Sequence, residues 1–119
     1  DLASALRMLA RALTGRIALM HHAPLDTGFL RSAFKEAFGA DWFHPTADTL
    51  ELERKRLFQR EQNLPRHALR LNTCRERHGL PKTQSHNALE DALATAELFL
   101  AWANHYGRHG PRVRDCLTY

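Results

Sequence analysis

Four apolar residues in succession, Ile17-Ala18-Leu19-Met20, stand between Arg16 and His21. A strand with one wet face alternates apolar and polar residues, and this run does not. It is therefore expected to be covered on both faces, as in a sheet flanked by helices. The strand is predicted over residues 16–21. Pro24 follows at once and suits the first turn of a helix, where its missing N–H has no partner to lose. The chain thus passes from a buried strand directly into a helix, which points to an α/β fold.

The rest of the pattern fits that class. Leu2, Leu6, Leu9, Ala10 and Leu13 recur at three- and four-residue spacing, so residues 2–14 read as an amphipathic helix stopped near Gly15. Arg7 and Arg11 interrupt this amphipathic pattern, so no secretory signal is expected there. The helix opened by Pro24 is expected to run to about Phe38 and to end at Gly39. A second short strand is placed at about Thr46 to Leu50, and Leu50 to Leu57 has a helical pattern. Residues 61–66 read as a loop, 69–78 as a helix closed by Gly79, and 82–85 as a linker. A long helix is expected from Asn87 to Tyr106, with Asn87 as its cap. The tail from Gly107, with Gly110 and Pro111, is expected to fray. The organisation is one domain over residues 1–106 followed by a tail, 107–119. No apolar run reaches the roughly 18 residues of a membrane helix, so no membrane association is expected. Cys74 and Cys116 form no paired motif, which suits a reducing cytoplasm.

The chain carries 17 Lys and Arg against 13 Asp and Glu, a net charge of +4. Eight of the basic residues fall between Arg54 and Arg77, against two acidic ones, Glu61 and Glu76. Such a stretch can follow a phosphate backbone. A solvated helix face is the plainer reading of charge alone. Arg70, within this stretch, is the candidate phosphate contact.

Two constellations carry chemistry. In His21-His22-Ala23-Pro24-Leu25-Asp26, Asp26 falls in the first turn of a helix. The helix dipole favours a carboxylate there, and ligands of open α/β sheets bind outside the carboxyl ends of strands. In His86-Asn87-Ala88-Leu89-Glu90-Asp91-Ala92, five helical residues rotate about 140° beyond a full turn. His86 and Asp91 therefore cannot face the same way inside one helix. His86 is read as lying just before the cap, free to swing over the helix end.

Together with Asp48-Thr49-Leu50 between them, these segments resemble the DEDDh 3'-5' exonucleases. That family includes the proofreading subunit of bacterial DNA polymerase III and ribonuclease T. The resemblance covers Leu2 to about His105. His21 to Leu30 is similar to the family's second motif, H-N-A-x-F-D-x-x-F-L, with His22 in place of the usual Asn and Leu25 in place of the usual Phe. Asp48-Thr49-Leu50 matches the D-T-L on the next strand. His86 to Ala92 resembles the third motif. The resemblance implies a ribonuclease H-like exonuclease fold, with Asp26 and Asp91 as metal ligands and His86 as general base. It also implies that Phe29 touches terminal bases. Neighbours on a strand point to opposite faces, so His21 is read as strand-end packing and His22 as lining the cleft and touching nucleic acid. Phe29, Phe34, Phe38, Phe99 and Trp102 lie at core spacing and are read as packing first.

The family's first motif, a D-x-E on the first strand, has no counterpart in the sequence and is expected ahead of Asp1. Phosphodiester hydrolysis needs a nucleophilic hydroxide and a charge sink for the leaving oxygen. Two Mg2+ or Mn2+ ions about 3.5–4 Å apart supply both, and such hard cations take oxygen ligands. Two carboxylates would hold only part of such a pair, so the chain by itself is expected to be weak or inactive. The expected function is removal of nucleotides from 3' ends of single-stranded DNA or RNA, with a DNA polymerase as a candidate partner. The other reading is a catalytically silent module of the same fold that binds nucleic acid or a partner. In the family, the strand matching residues 16–21 pairs with the first strand. That edge is therefore expected to be covered by an N-terminal segment or a second chain.

Overall fold

The computed structural model describes residues 1–58, 63–84 and 87–118. Helix α1 is Leu2–Leu13, opened by the Asp1 carboxylate, which accepts from the Ser4 N–H at 2.7 Å. After a turn at Gly15 come strand β1 (Ala18–Met20), helix α2 (Ala23–Phe38), strand β2 (Thr46–Asp48) and helix α3 (Thr49–Phe58). A 3-10 turn at Arg66–Leu69 leads into α4 (Leu71–Arg77). The long helix α5 (Ala88–Ala103) continues into a 3-10 turn at Asn104–Tyr106, and a short helix, α6 (Val113–Cys116), follows. The architecture is mixed α/β, consistent with a ribonuclease H-like exonuclease domain.

Strands β1 and β2 pair in parallel, Ala18 with Thr46, Leu19 with Ala47 and Met20 with Asp48. Helix α2 is the crossover between them, as parallel pairing requires. Helix α1 packs on α2, while α3 and α4 pack on α5, which also lies against β1. The core gathers Ala47, Leu52, Trp102 and Cys116, with Leu19, Ile17 and Phe99 against it. Among the described residues no helix is long and apolar enough to cross a membrane.

Several expectations change in detail. Thr49 and Leu50 belong to α3 rather than to the second strand, because the buried Asp48 carboxylate accepts the Leu50 N–H at 2.9 Å and turns the chain into a helix. Gly39 ends α2 with φ +66°, a left-handed conformation glycine adopts without strain. Asn87 caps α5 as expected, its side-chain oxygen accepting from Glu90 N–H at 2.8 Å. Through residue 118 the tail packs back on the domain instead of fraying. Cys116 is buried in the core, and Thr118 extends the sheet edge: its N–H donates to Thr46 O, and its hydroxyl accepts from the Asp48 N–H, each at 2.9 Å.

Candidate active site

A cleft of about 920 Å3 opens where β1 ends, between the starts of α2 and α5 and the 3-10 turn leading into α4. Asp26 and Asp91 both line it, each in the first turn of its helix. Phe29, Arg70, Asn72 and Thr83 share the wall. The two carboxylates are 65 positions apart in sequence, and the handover from β1 to α2 brings their helix starts to one opening. His86 lies outside the described residues.

The carboxyl of Asp26 is held above its ordinary pKa, first by burial and then by the charge of Asp48, against the opposing pull of His22 and His21. Asp48 itself is fully buried. Its Oδ1 accepts from the His22 N–H and its Oδ2 from the Ala23 N–H, both at 2.8 Å. One carboxylate from β2 therefore caps the helix that carries Asp26, and it satisfies amides that a helix start otherwise leaves open.

His21 keeps the strand-end packing expected of it and also reaches the cleft, whereas His22 is an exposed N-cap. His21 lines the cleft, and His22 is not among the lining residues. Strand alternation stops at Met20, and His22 then adopts φ +67° as the N-cap of α2, so opposite-face logic no longer applies to it. The His22 imidazole still lies close enough to Asp26 to pull its pKa down. His21 sits with Nδ1 2.8 Å from Thr49 Oγ1 and Nε2 2.8 Å from the Leu69 carbonyl. A carbonyl only accepts, so Nε2 carries a proton there. Burial lowers the pKa of this ring.

Phe29 does not pack in the core: it is 67% exposed and stands on the cleft wall. The basic stretch also resolves differently from a single phosphate-binding face. Arg54 pairs with Glu51, while Arg56 and Arg77 pair with the buried Glu53. Arg75 is buried. Arg60 lies outside the described residues, and Arg70 is the member of the stretch that lines the cleft.

Oxygen donors such as Asp26 and Asp91 suit a hard divalent cation, which takes six or more ligands. Among the described residues no group of three His, Cys, Asp or Glu side chains comes together to hold one. The donor chemistry fits such an ion; the number of donors does not complete a site.

The exonuclease family model named for ribonuclease T matches residues 1–99. The chain belongs to this exonuclease family. Among curated proteins, the exonuclease segment is similar to DNA polymerase III PolC-type of Thermotoga maritima, 36% identical over 114 residues and 90% of this chain. The PolC-type polymerase of Bacillus subtilis is 32% identical over 119 residues, 99% of this chain. That of Thermotoga petrophila is 36% identical over 88 residues, 74% of this chain. The chain spans 6–8% of the length of these relatives.

Sequence reasoning missed Asp48 and His21 as organisers of the site. An Asp directly before a helix start is a capping signal. Its grip on residues 22 and 23 depends on strand pairing, which no local pattern reveals.

Proposed function

We propose that the chain is part of a 3'-5' exonuclease that trims nucleotides from the 3' end of single-stranded DNA, or of RNA, in the setting of a replicative DNA polymerase. The observation that carries this reading is the meeting of Asp26 and Asp91 in one cleft of a chain that belongs to an exonuclease family. Asp26 and Asp91 would be metal ligands. A D-x-E segment completing the set would pair beside β1. Mg2+ or Mn2+, when bound, would generate the attacking hydroxide and stabilise the leaving oxygen.

The remaining roles belong to the chain's own side chains. His86 would accept the proton of the attacking water, as an imidazole can near neutral pH. Phe29, exposed on the cleft wall, offers a face on which a terminal base can stack. Arg70 would take a backbone phosphate, and His22, the N-cap of α2, would contact the strand. Asp48 holds the start of α2 so that Asp26 keeps its place.

The test is Mg2+-dependent degradation of single-stranded DNA labelled at either end by the full-length protein. Stepwise loss from the 3' end is expected. His86→Ala should slow it about 10²–10⁴-fold while Mn2+ binding, measured by calorimetry, is retained. Asp91→Asn should lose both rate and binding. Variants that trim as fast as the wild type would sink the assignment. A wild-type protein that binds single-stranded DNA without cleaving it would favour the silent-module reading.

A further inference from the structure

Arg75 is the largest fully buried side chain of the molecule among the described residues, with 2% of its surface exposed. It does not line the cleft. Among the described residues its acidic partner is Glu97, which is 54% exposed and lies 3.2 Å away. The other partners are backbone carbonyls. Nη1 donates to Ala94 O at 2.8 Å, Nη2 to Pro81 O at 2.9 Å and Nε to Pro81 O at 3.2 Å. Burying a cation is unfavourable unless its donors are satisfied, and here the planar fork is spread over two separate pieces of chain. Those pieces bracket Asp91 in sequence. Pro81 precedes α5, and Ala94 follows Asp91 within α5.

A second tether runs beside the first. Thr83 N–H and Oγ1 donate to Asn72 Oδ1 at 3.1 and 3.0 Å, and Asn72 Nδ2 donates to Thr83 O at 3.3 Å. Helix α4 thus grips both the approach to α5 and the body of α5.

We propose that Arg75 is a positioning residue, whose buried guanidinium ties the Pro81 and Ala94 carbonyls to α4 and thereby sets the rotation and axial register of α5 that place Asp91 in the cleft. The geometry of a helix makes this sensitive. A slip of one residue moves it about 1.5 Å along its axis and turns every side chain by about 100°. Asp91 would then leave the wall it shares with Asp26. Lysine cannot replace the fork, since an ammonium on a flexible stem does not span two carbonyls in fixed geometry.

The inference rests on reading Asp91 as a site carboxylate, and its test separates the two. In the full-length protein, Arg75→Met keeps bulk and removes the donors. Its kcat for 3'-end trimming is expected to fall at least about tenfold with KM within about twofold. The double variant Arg75→Met/Asp91→Asn should be no slower than Asp91→Asn alone, because both act through one group. An unchanged kcat, or losses that multiply in the double variant, would overturn the proposal. Hydrogen exchange reads the tether without any activity: amides of residues 91–98 should exchange faster in Arg75→Met while those of α1 and α2 do not change. Unaltered exchange along α5 also overturns it. Should Arg75→Met fail to fold, Arg75→Lys is expected to shift kcat and exchange in the same directions, and a fully active Arg75→Lys refutes the geometry. If Asp91→Asn trims as fast as the wild type, the functional reading fails and exchange alone decides the tether.

Discussion

His22 holds φ at +67°, a conformation that no other non-glycine residue adopts among those described. The left-handed region crowds Cβ against the backbone, and asparagine tolerates it better than most residues because its short side chain bonds locally. The exonuclease motif that this segment resembles carries Asn at the same place. Strain of this kind costs about 1–3 kcal/mol and persists where neighbours over-determine it. Here the Asp48 carboxylate does so, by gripping both the His22 and Ala23 amides. His22→Asn is therefore expected to raise stability by about 0.5–1 kcal/mol, a rise of a few degrees in thermal unfolding. A midpoint that is unchanged or lower would show that the histidine carries no strain. Asp48→Ala should do the opposite. It frees three amides, those of residues 22, 23 and 50, and buried donors left unmade cost about 1–3 kcal/mol each.

A buried carboxylate links helix α3 to α4 and its C-cap His78. Glu53 is fully buried. Its Oε1 accepts from His78 Nε2 at 2.6 Å and from Arg56 Nε at 3.3 Å, and its Oε2 from Arg77 Nη1 at 3.0 Å. Burial alone would raise its pKa, but the hydrogen bond and charge of His78, with those of Arg56, outweigh burial and hold the carboxyl below its ordinary 4.5. A carboxylate depressed in the folded state contributes stability that is present above its unfolded pKa and lost as pH falls through the folded value. Stability against urea should therefore fall progressively below about pH 4.5. Glu53→Gln should lose about 1–3 kcal/mol at neutral pH, since it weakens the charge-assisted hydrogen bonds from His78, Arg56 and Arg77, and should flatten that acid limb. An equally steep limb in the variant would assign it to other carboxylates. This element pair also marks where sequence reading stops. The helical periods of α1, α2 and α5 and the caps at Asn87 and Gly39 are local properties, and they were legible. Whether Glu53, Arg56, Arg75 and Arg77 face water or one another depends on which helix lies opposite. A stretch that reads as a solvated basic face thus folds into one ion network around the buried Glu53 and one buried guanidinium, Arg75, held mostly by backbone carbonyls. The positions of Asp26 and Asp91 were legible because helix starts announce themselves. The placing of His21 at the cleft and of His22 outside its lining was not, because it turns on the residue at which a three-residue strand stops.

At the scale of the molecule, the sheet has one covered side and one open one among the described residues. The outer edge of β2 takes Thr118 from the C-terminal segment, which the turn at Gly107 and Gly110 and the docking of α6 carry back across the core. Strand β1 pairs with β2 on one side and has no strand on the other among the described residues. Helix α5, which packs on β1, also leaves Leu89, Leu93 and Leu100 more than half exposed. An open edge is a template for another strand. The proposed D-x-E segment would meet two needs together, since a strand added at β1 places new carboxylates beside the cleft that holds Asp26 and Asp91. Backbone groups buried without partners cost about 1–3 kcal/mol each, so a bare edge should open readily when nothing covers it. Hydrogen exchange compares the two situations directly. In the 119-residue chain by itself, amides of residues 17–20 that do not face β2 should exchange at rates near those of a loop. In the full-length protein they should be protected by the added strand, and Mn2+ affinity should rise with that protection. Strong protection of the same amides in a demonstrably monomeric 119-residue sample would mean that the sheet closes without a further strand, and the edge would then no longer argue for where the missing carboxylates come from.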